Sequence, residues 1–146
     1  MLFAVITSMD FPIKTLEDLQ SISSAAKWQY FEKLVAFIFG ENGFDARQNV
    51  IINFPQKRQF DVIAKRYKVT YLVECKKWKS KKQRASALKG AVVKHLERCA
   101  LYGTLHEEGV PLIVTLLEED ITEHNGVMIV PIMKLNWLIN NYESIE

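Results

Sequence analysis

Asp61, Glu74 and Lys76 are the residues of this chain whose types and spacing could do chemistry together. All three fall within Gln59 to Trp78, QFDVIAKRYKVTYLVECKKW, where two apolar, β-branched runs flank a short basic turn at Lys65 to Lys68, the sequence form of a β-hairpin. Side chains on a strand alternate faces, so Glu74 and Lys76 point one way and Val73 and Cys75 the other. An acid and a base thus share a face at the end of the second strand, while Asp61 sits inside the first. Two carboxylates about 4 Å apart repel by roughly 4 kcal/mol at an effective dielectric near 20. A charge removed from water is also costly unless it is paired or bound to a metal. Asp61 and Glu74 can therefore share a pocket only around a cation, which is either Lys76 or a divalent metal.

Several elements must position this group. Thr15 to Ile22 suggests a short amphipathic helix. With Ser24 as N-cap, Trp28, Phe31, Leu34, Val35, Ile38 and Phe39 then fall at helical spacing, and Asn42-Gly43 supplies the stop. Glu32 lies on the border of that apolar stripe, from where it could reach a site at a sheet edge, although a helical Glu taken alone is more often solvated. Phe44 to Phe54 reads as a strand, closed by the turn Phe54-Pro55-Gln56-Lys57, and with Gln59 to Ala64 and the strand ending at Trp78 it makes three consecutive antiparallel strands. The basic loop KSKKQR leads into a helix from Ala85 to Tyr102. Its apolar line is Leu88, Val92, Leu96 and Cys99, with Lys89, Lys94 and Arg98 on its other faces. Val110 to Leu117 and Val127 to Ile132 are apolar runs that extend the sheet, and Leu135 to Tyr142 closes the chain as a helix. The opening MLFAVI reads as a short strand. The expected fold is a single α/β domain over residues 1–146, with a mixed central sheet flanked by helices.

The 146 residues, 49% hydrophobic and 25% charged, suit one soluble globular domain with a core of its own. The apolar run Leu34 to Phe39 is far too short to cross a bilayer, and the N-terminus lacks a basic leader, so no membrane partner and a cytoplasmic location are expected. Cys75 and Cys99 read as reduced, buried thiols. His95, His106 and His124 have no zinc-like spacing with them and read as surface or rim residues. The net charge of +2 hides an asymmetry: Lys57 to Arg98 holds 14 Lys/Arg against 3 Asp/Glu, and the rest holds 5 against 14. A basic block centred on the two acids points to a polyanionic partner, against the plainer reading of a solvated face.

Glu32 on a helix, Asp61 in the second strand and Glu74-Cys75-Lys76 ending the third resemble the PD-(D/E)xK nuclease superfamily, in order from about Trp28 to Val114. The local text QFDVIA followed by VECKKW looks most like its restriction-endonuclease-like group of Mrr type, with archaeal Holliday-junction resolvases as relatives. Glu-x-Lys alone arises by chance in roughly one chain of this size in two. Here it occurs once, ends a strand, and follows an Asp across a hairpin. Phe60 stands where the superfamily has its name-giving Pro, a departure that removes no catalytic atom.

The resemblance implies a restriction-endonuclease-like core and a Mg²⁺- or Mn²⁺-dependent endonuclease hydrolysing DNA phosphodiester bonds. Asp61, Glu74 and the backbone carbonyl of Cys75 would be the metal ligands, a hard oxygen set suited to such an ion. Lys76 would orient water or stabilise charge on the phosphate, and Glu32 would hold the water or a second metal. Lys77, Trp78, Lys79, Lys81, Lys82 and Arg84 would contact the DNA beside the scissile bond, with Lys89 and Lys94 extending the footprint along the next helix. Three alternatives stay open: a catalytically silent nucleic-acid-binding module on the same fold, a resolvase of Holliday junctions or other branched DNA, and a structural domain in which Asp61, Glu74 and Lys76 form an internal salt bridge. With no separate DNA-reading motif present, sequence-specific cutting would need a homodimer or a partner subunit.

Overall fold

The computed structural model describes residues 13–53, 56–77 and 84–145. The expected N-terminal strand, the Phe54-Pro55 half of the first turn and the basic loop carrying Trp78, Lys79, Lys81 and Lys82 lie outside the described residues.

Helix α1 (Leu16–Ala25) opens on a capping box: Asp18 N–H donates to the Thr15 hydroxyl at 3.1 Å, and Thr15 N–H donates back to the Asp18 carboxylate at 3.2 Å. That start carries the helix through Ser23 and Ser24, which corrects the expectation that Ser24 caps the next helix. Helix α2 (Trp28–Glu41) instead begins after Lys27 without a side-chain cap. It ends as expected at Asn42-Gly43. Gly43 adopts φ +83°, its N–H reaches the Gly40 carbonyl and Phe44 N–H reaches that of Phe39, both at 3.1 Å, the pattern of a Schellman stop.

Six strands follow: β1 (Asp45–Ile52), β2 (Arg58–Arg66), β3 (Val69–Lys76), β4 (Val110–Thr115), β5 (Glu123–His124) and β6 (Val127–Pro131). They form one mixed sheet of order β1-β2-β3-β4-β6-β5. The first three make an antiparallel meander with Val62 opposite Val73. Strands β3, β4 and β6 are parallel, so helix α3 (Arg84–Leu105) crosses over between β3 and β4. The two-residue β5 is an addition to the expected strands. Asn125 (φ 50°) and Gly126 (φ 82°) form the tight turn that folds it back on β6. Helix α4 (Ile132–Ile145) starts three residues earlier than expected, directly after β6.

The sheet separates two apolar layers. On one face, Phe31, Leu34, Ile38 and Phe39 of α2, with Leu19 and Leu135 of the neighbouring helices, pack on Val62, Ala64, Tyr71, Val73 and Cys75. On the other, Leu88 and Val92 of α3 meet Ile113, Val127 and Ile129, and Tyr102 meets Phe60, Ile63 and Leu72. Gly109, just before β4, lies so close to Leu72 that a Cβ there would fall 2.6 Å from that side chain. The chain after α3 is thereby seated flush on β3. Among the described residues, no helix is long and apolar enough to cross a membrane.

Candidate active site

The two central strands part beyond the Val62–Val73 pair, and the group expected to do chemistry sits in that gap. Strict alternation would put Phe60 on the face of Val62 and Ala64. Phe60 instead packs with Ile63 and Leu72 on the opposite face. The switch occurs at Asp61. Across from it on β1, Asn49 takes a left-handed backbone (φ 51°), and the β1–β2 register is interrupted at this one position. Asp61 thus stands at the point where the strand changes faces, and its Oδ2 accepts the backbone N–H of Cys75 at 2.8 Å.

Three carboxylates converge there. Glu32 of α2 is only 3% exposed, well inside the apolar stripe whose border it was expected to occupy, and it hydrogen-bonds to Asp61 and to Trp28. Burial raises the Glu32 carboxyl above its ordinary value, and the charge of Glu74 adds to this. Burial, then the hydrogen bond and charge of Glu74, push Asp61 up to about 8. Burial would also raise Glu74, but the hydrogen bond from Asp61 and the charges of Lys76 and Arg98 outweigh it and hold Glu74 low. Burial and the mutual hydrogen bond thus favour the protonated form of Asp61 and the charged form of Glu74, and the two groups titrate as a pair.

Arg98 of α3 donates through Nη1 to Glu74 Oε2, an ion pair with the side chains 26% and 12% exposed. Three residues earlier on the same helix, buried His95 places Nε2 2.8 Å from the carbonyl oxygen of Leu72, and burial lowers its pKa. Both placements correct the sequence reading, which put Arg98 on an outer face and His95 at the surface. The signal was present, since Arg84, Leu88, Ala91, Val92, His95 and Tyr102 are the buried positions of α3 and position 98 continues the face of 88, 91 and 95.

The expected nucleic-acid contacts separate into groups. Lys89 and Lys94 are exposed on α3. Lys77 donates to the carbonyls of Ser24, at 3.3 Å, and Ala26, so it serves as the cation at the C-terminal end of α1 in place of the expected phosphate contact. Arg84 is also withdrawn from that role. Its Nε donates to Glu119 at 2.6 Å with both side chains 6% exposed, because the first turn of α3 packs against the segment after β4. Trp78, Lys79, Lys81 and Lys82 lie outside the described residues. Cys75 and Cys99 are free thiols, and burial pushes both upward, Cys99 to about 12.

Residues 23–109 match the catalytic-domain family Mrr_cat, described as restriction endonuclease. The chain belongs to that family. The Mrr-type match spans α2, the meander, α3 and the gap between β2 and β3, and it agrees with the PD-(D/E)xK pattern of Asp61 and Glu74-Cys75-Lys76. An uncharacterized protein of Archaeoglobus fulgidus is 29% identical over 117 residues, covering 79% of this chain and 91% of its own. Among solved structures, a protein of unknown function, AF1548, superposes with a TM-score of 0.52 at 21% identity over 72% of this chain. Protein VC1899 from Vibrio cholerae does so at 0.50 and 13% identity over 81%. The chain spans 58% and 33% of those two proteins, and the likeness shows a shared fold.

The oxygens of Asp61 and Glu74 and the carbonyl of Cys75 are the hard donors that Mg²⁺ or Mn²⁺ prefers. Among the described residues, no group of three or more His, Cys, Asp or Glu is placed to hold a metal ion. Such an ion would complete its shell with waters and substrate oxygens, which is the habit of Mg²⁺.

Proposed function

We propose that this Mrr-type protein is a Mg²⁺- or Mn²⁺-dependent endonuclease that hydrolyses DNA phosphodiester bonds, with residues 1–146 as one nuclease unit. The observation that carries the reading is the meeting of Asp61 and Glu74 where β2 and β3 part, with Lys76 close enough to Glu74 to lower its pKa. Asp61, Glu74 and the carbonyl of Cys75 would hold the ion. When bound, the ion supplies Lewis-acid polarisation of the phosphodiester and a water of lowered pKa. The Cys75 N–H would fix the direction of the Asp61 carboxylate as a ligand. Lys76 orients the attacking water or stabilises the charge that builds on the phosphate. Glu32, hydrogen-bonded to Asp61, holds the water or a second ion at the inner end of the site. Lys89 and Lys94, with Lys79, Lys81 and Lys82 of the basic loop, neutralise flanking phosphates without reading sequence.

The test is cleavage of duplex, single-stranded and branched DNA with Mg²⁺ or Mn²⁺ against EDTA, using the wild type, Asp61→Asn and Glu74→Gln. Metal-dependent cutting that falls by about a thousandfold or more in both variants is expected, since both act at one charge-stabilising centre. Equal cutting by all three proteins places the chemistry elsewhere. DNA binding without cutting by the wild type makes the chain a silent binding module.

A further inference from the structure

Glu74 is asked to do two things at once. Its carboxylate is mostly buried at 12% exposure, and in the metal-free state Arg98 of α3 already occupies Oε2. A carboxylate buried in this way needs a positive partner. Lys76 on the same strand contributes its charge and Asp61 a hydrogen bond, and an ion-pair contact also comes from a helix 24 residues away. A metal that takes Glu74 as ligand meets a guanidinium on one of its two oxygens.

We infer that Arg98 is a placeholder cation, a positioning residue that holds the Glu74 carboxylate in place while no divalent ion is present and competes with the ion for it. The inference rests on the metal-dependent reading of the site and deepens it. Two features support the competition. Arg is always charged, so unlike a His or a Lys it cannot leave the contact by losing a proton. The pair is also partly open, with Arg98 at 26% exposure, so its side chain can yield toward solvent without unfolding α3. His95 also ties this part of the helix to β3 through the Leu72 carbonyl, so the tie does not rest on Arg98 alone.

The consequence is unusual in sign, because removing a side chain that contacts the metal site should strengthen metal binding. A unit positive charge about 5 Å from a divalent ion weakens its binding about tenfold even under water-like screening. Calorimetric titration of Mn²⁺ into the full chain, without DNA, should therefore give Arg98→Met an affinity about tenfold or more above wild type. Arg98→Lys, which keeps the charge, should stay near wild type. Asp61→Asn should bind at least tenfold more weakly than wild type and serves as the control for the site itself. Damage to the fold can only weaken binding, so a gain in Arg98→Met is a readout that a merely structural role would not produce. If wild type binds and Asp61→Asn does not, but Arg98→Met binds equally or more weakly, the placeholder inference is overturned and the metal site stands. If neither wild type nor Arg98→Met binds Mn²⁺, the metal-dependent reading falls, and the inference with it.

Discussion

The carboxylate of Asp61 accepts the backbone N–H of Cys75 at 2.8 Å, joining the two central strands just beyond the point where their own pairing stops. The bond fixes the direction of the acid with no metal present, and it gives Asp61 a structural duty separable from any catalytic one. Asp61→Ala orphans a buried N–H and should cost about 1–3 kcal/mol, whereas Asp61→Asn retains an acceptor oxygen. The Asn side chain can also donate to Glu74 as Asp61 does, so the difference between the two variants measures the hydrogen bonds that tie this position to β3. Urea unfolding of the two variants measures it, and equal midpoints would mean that Cys75 N–H finds another partner.

Lys76 is half-buried and acts on Glu74 through its charge. An ammonium has no lone pair for a metal. Lys76→Ala should therefore lose cleavage by about a hundredfold or more, the scale of a single charge-stabilising donor, while keeping Mn²⁺ affinity within about tenfold of wild type. An affinity loss as large as that of Asp61→Asn would show that Lys76 only holds the carboxylates in place.

Arg84 and Glu119 form a nearly dry ion pair, and Arg84 Nη1 is a buried donor with no hydrogen-bond partner among the described residues. Breaking such a pair from one side leaves a buried charge and costs about 3–5 kcal/mol, while replacing both partners by apolar groups is often neutral. Glu119→Leu alone should lower the denaturation midpoint sharply, and Arg84→Met with Glu119→Leu should recover most of the loss. A double variant no more stable than Glu119→Leu would contradict this.

The ammonium of Lys65 at 2.9 Å, together with hydrogen bonds from the backbone N–H of Glu107 and from Thr70, holds Glu107 down at about 2 against its ordinary 4.5. A depressed carboxyl stabilises the fold above its unfolded value and loses that contribution as pH falls toward the folded one. Both side chains of the Lys65–Glu107 pair are 47% exposed, so the screened effect is at most about 1 kcal/mol. Glu107→Gln should be slightly less stable than wild type at pH 7, with the gap closing between about pH 4.5 and 2. Thermal unfolding across that range reads it, and a gap that widens on acidification would reverse the sign.

Much of this architecture is written locally. The meander, both long helices and the meeting of Asp61 with Glu74 follow from periodicity, turn residues and one short motif. The departures share a physical cause, namely contacts made far along the chain. Arg98 and His95 look like surface residues until α3 crosses over and brings position 74 beneath them. Lys77 and Arg84 look like phosphate contacts until the carbonyls of Ser24 and Ala26 and the carboxylate of Glu119 claim them. The β5 strand is too short for any periodicity, although Asn125-Gly126 is a strong hairpin signal. Ser24 was misread because Thr15 and Asp18 had already started a helix that runs past it.

The crossover that delivers Arg98 also sets an order of events for the newly made chain. Asp61 and Glu74 belong to one hairpin, which closes on the microsecond scale, whereas the parallel pairing of β3 with β4 waits for a long loop to be fixed and is intrinsically slower. Mutational φ-values at Val62 and Val73 higher than those at Leu112 would report that sequence of assembly. On that order the two acids are neighbours before their arginine arrives, and water rather than a guanidinium would screen them while the backbone pairing from Val62–Val73 to Arg66–Val69 holds the young hairpin together.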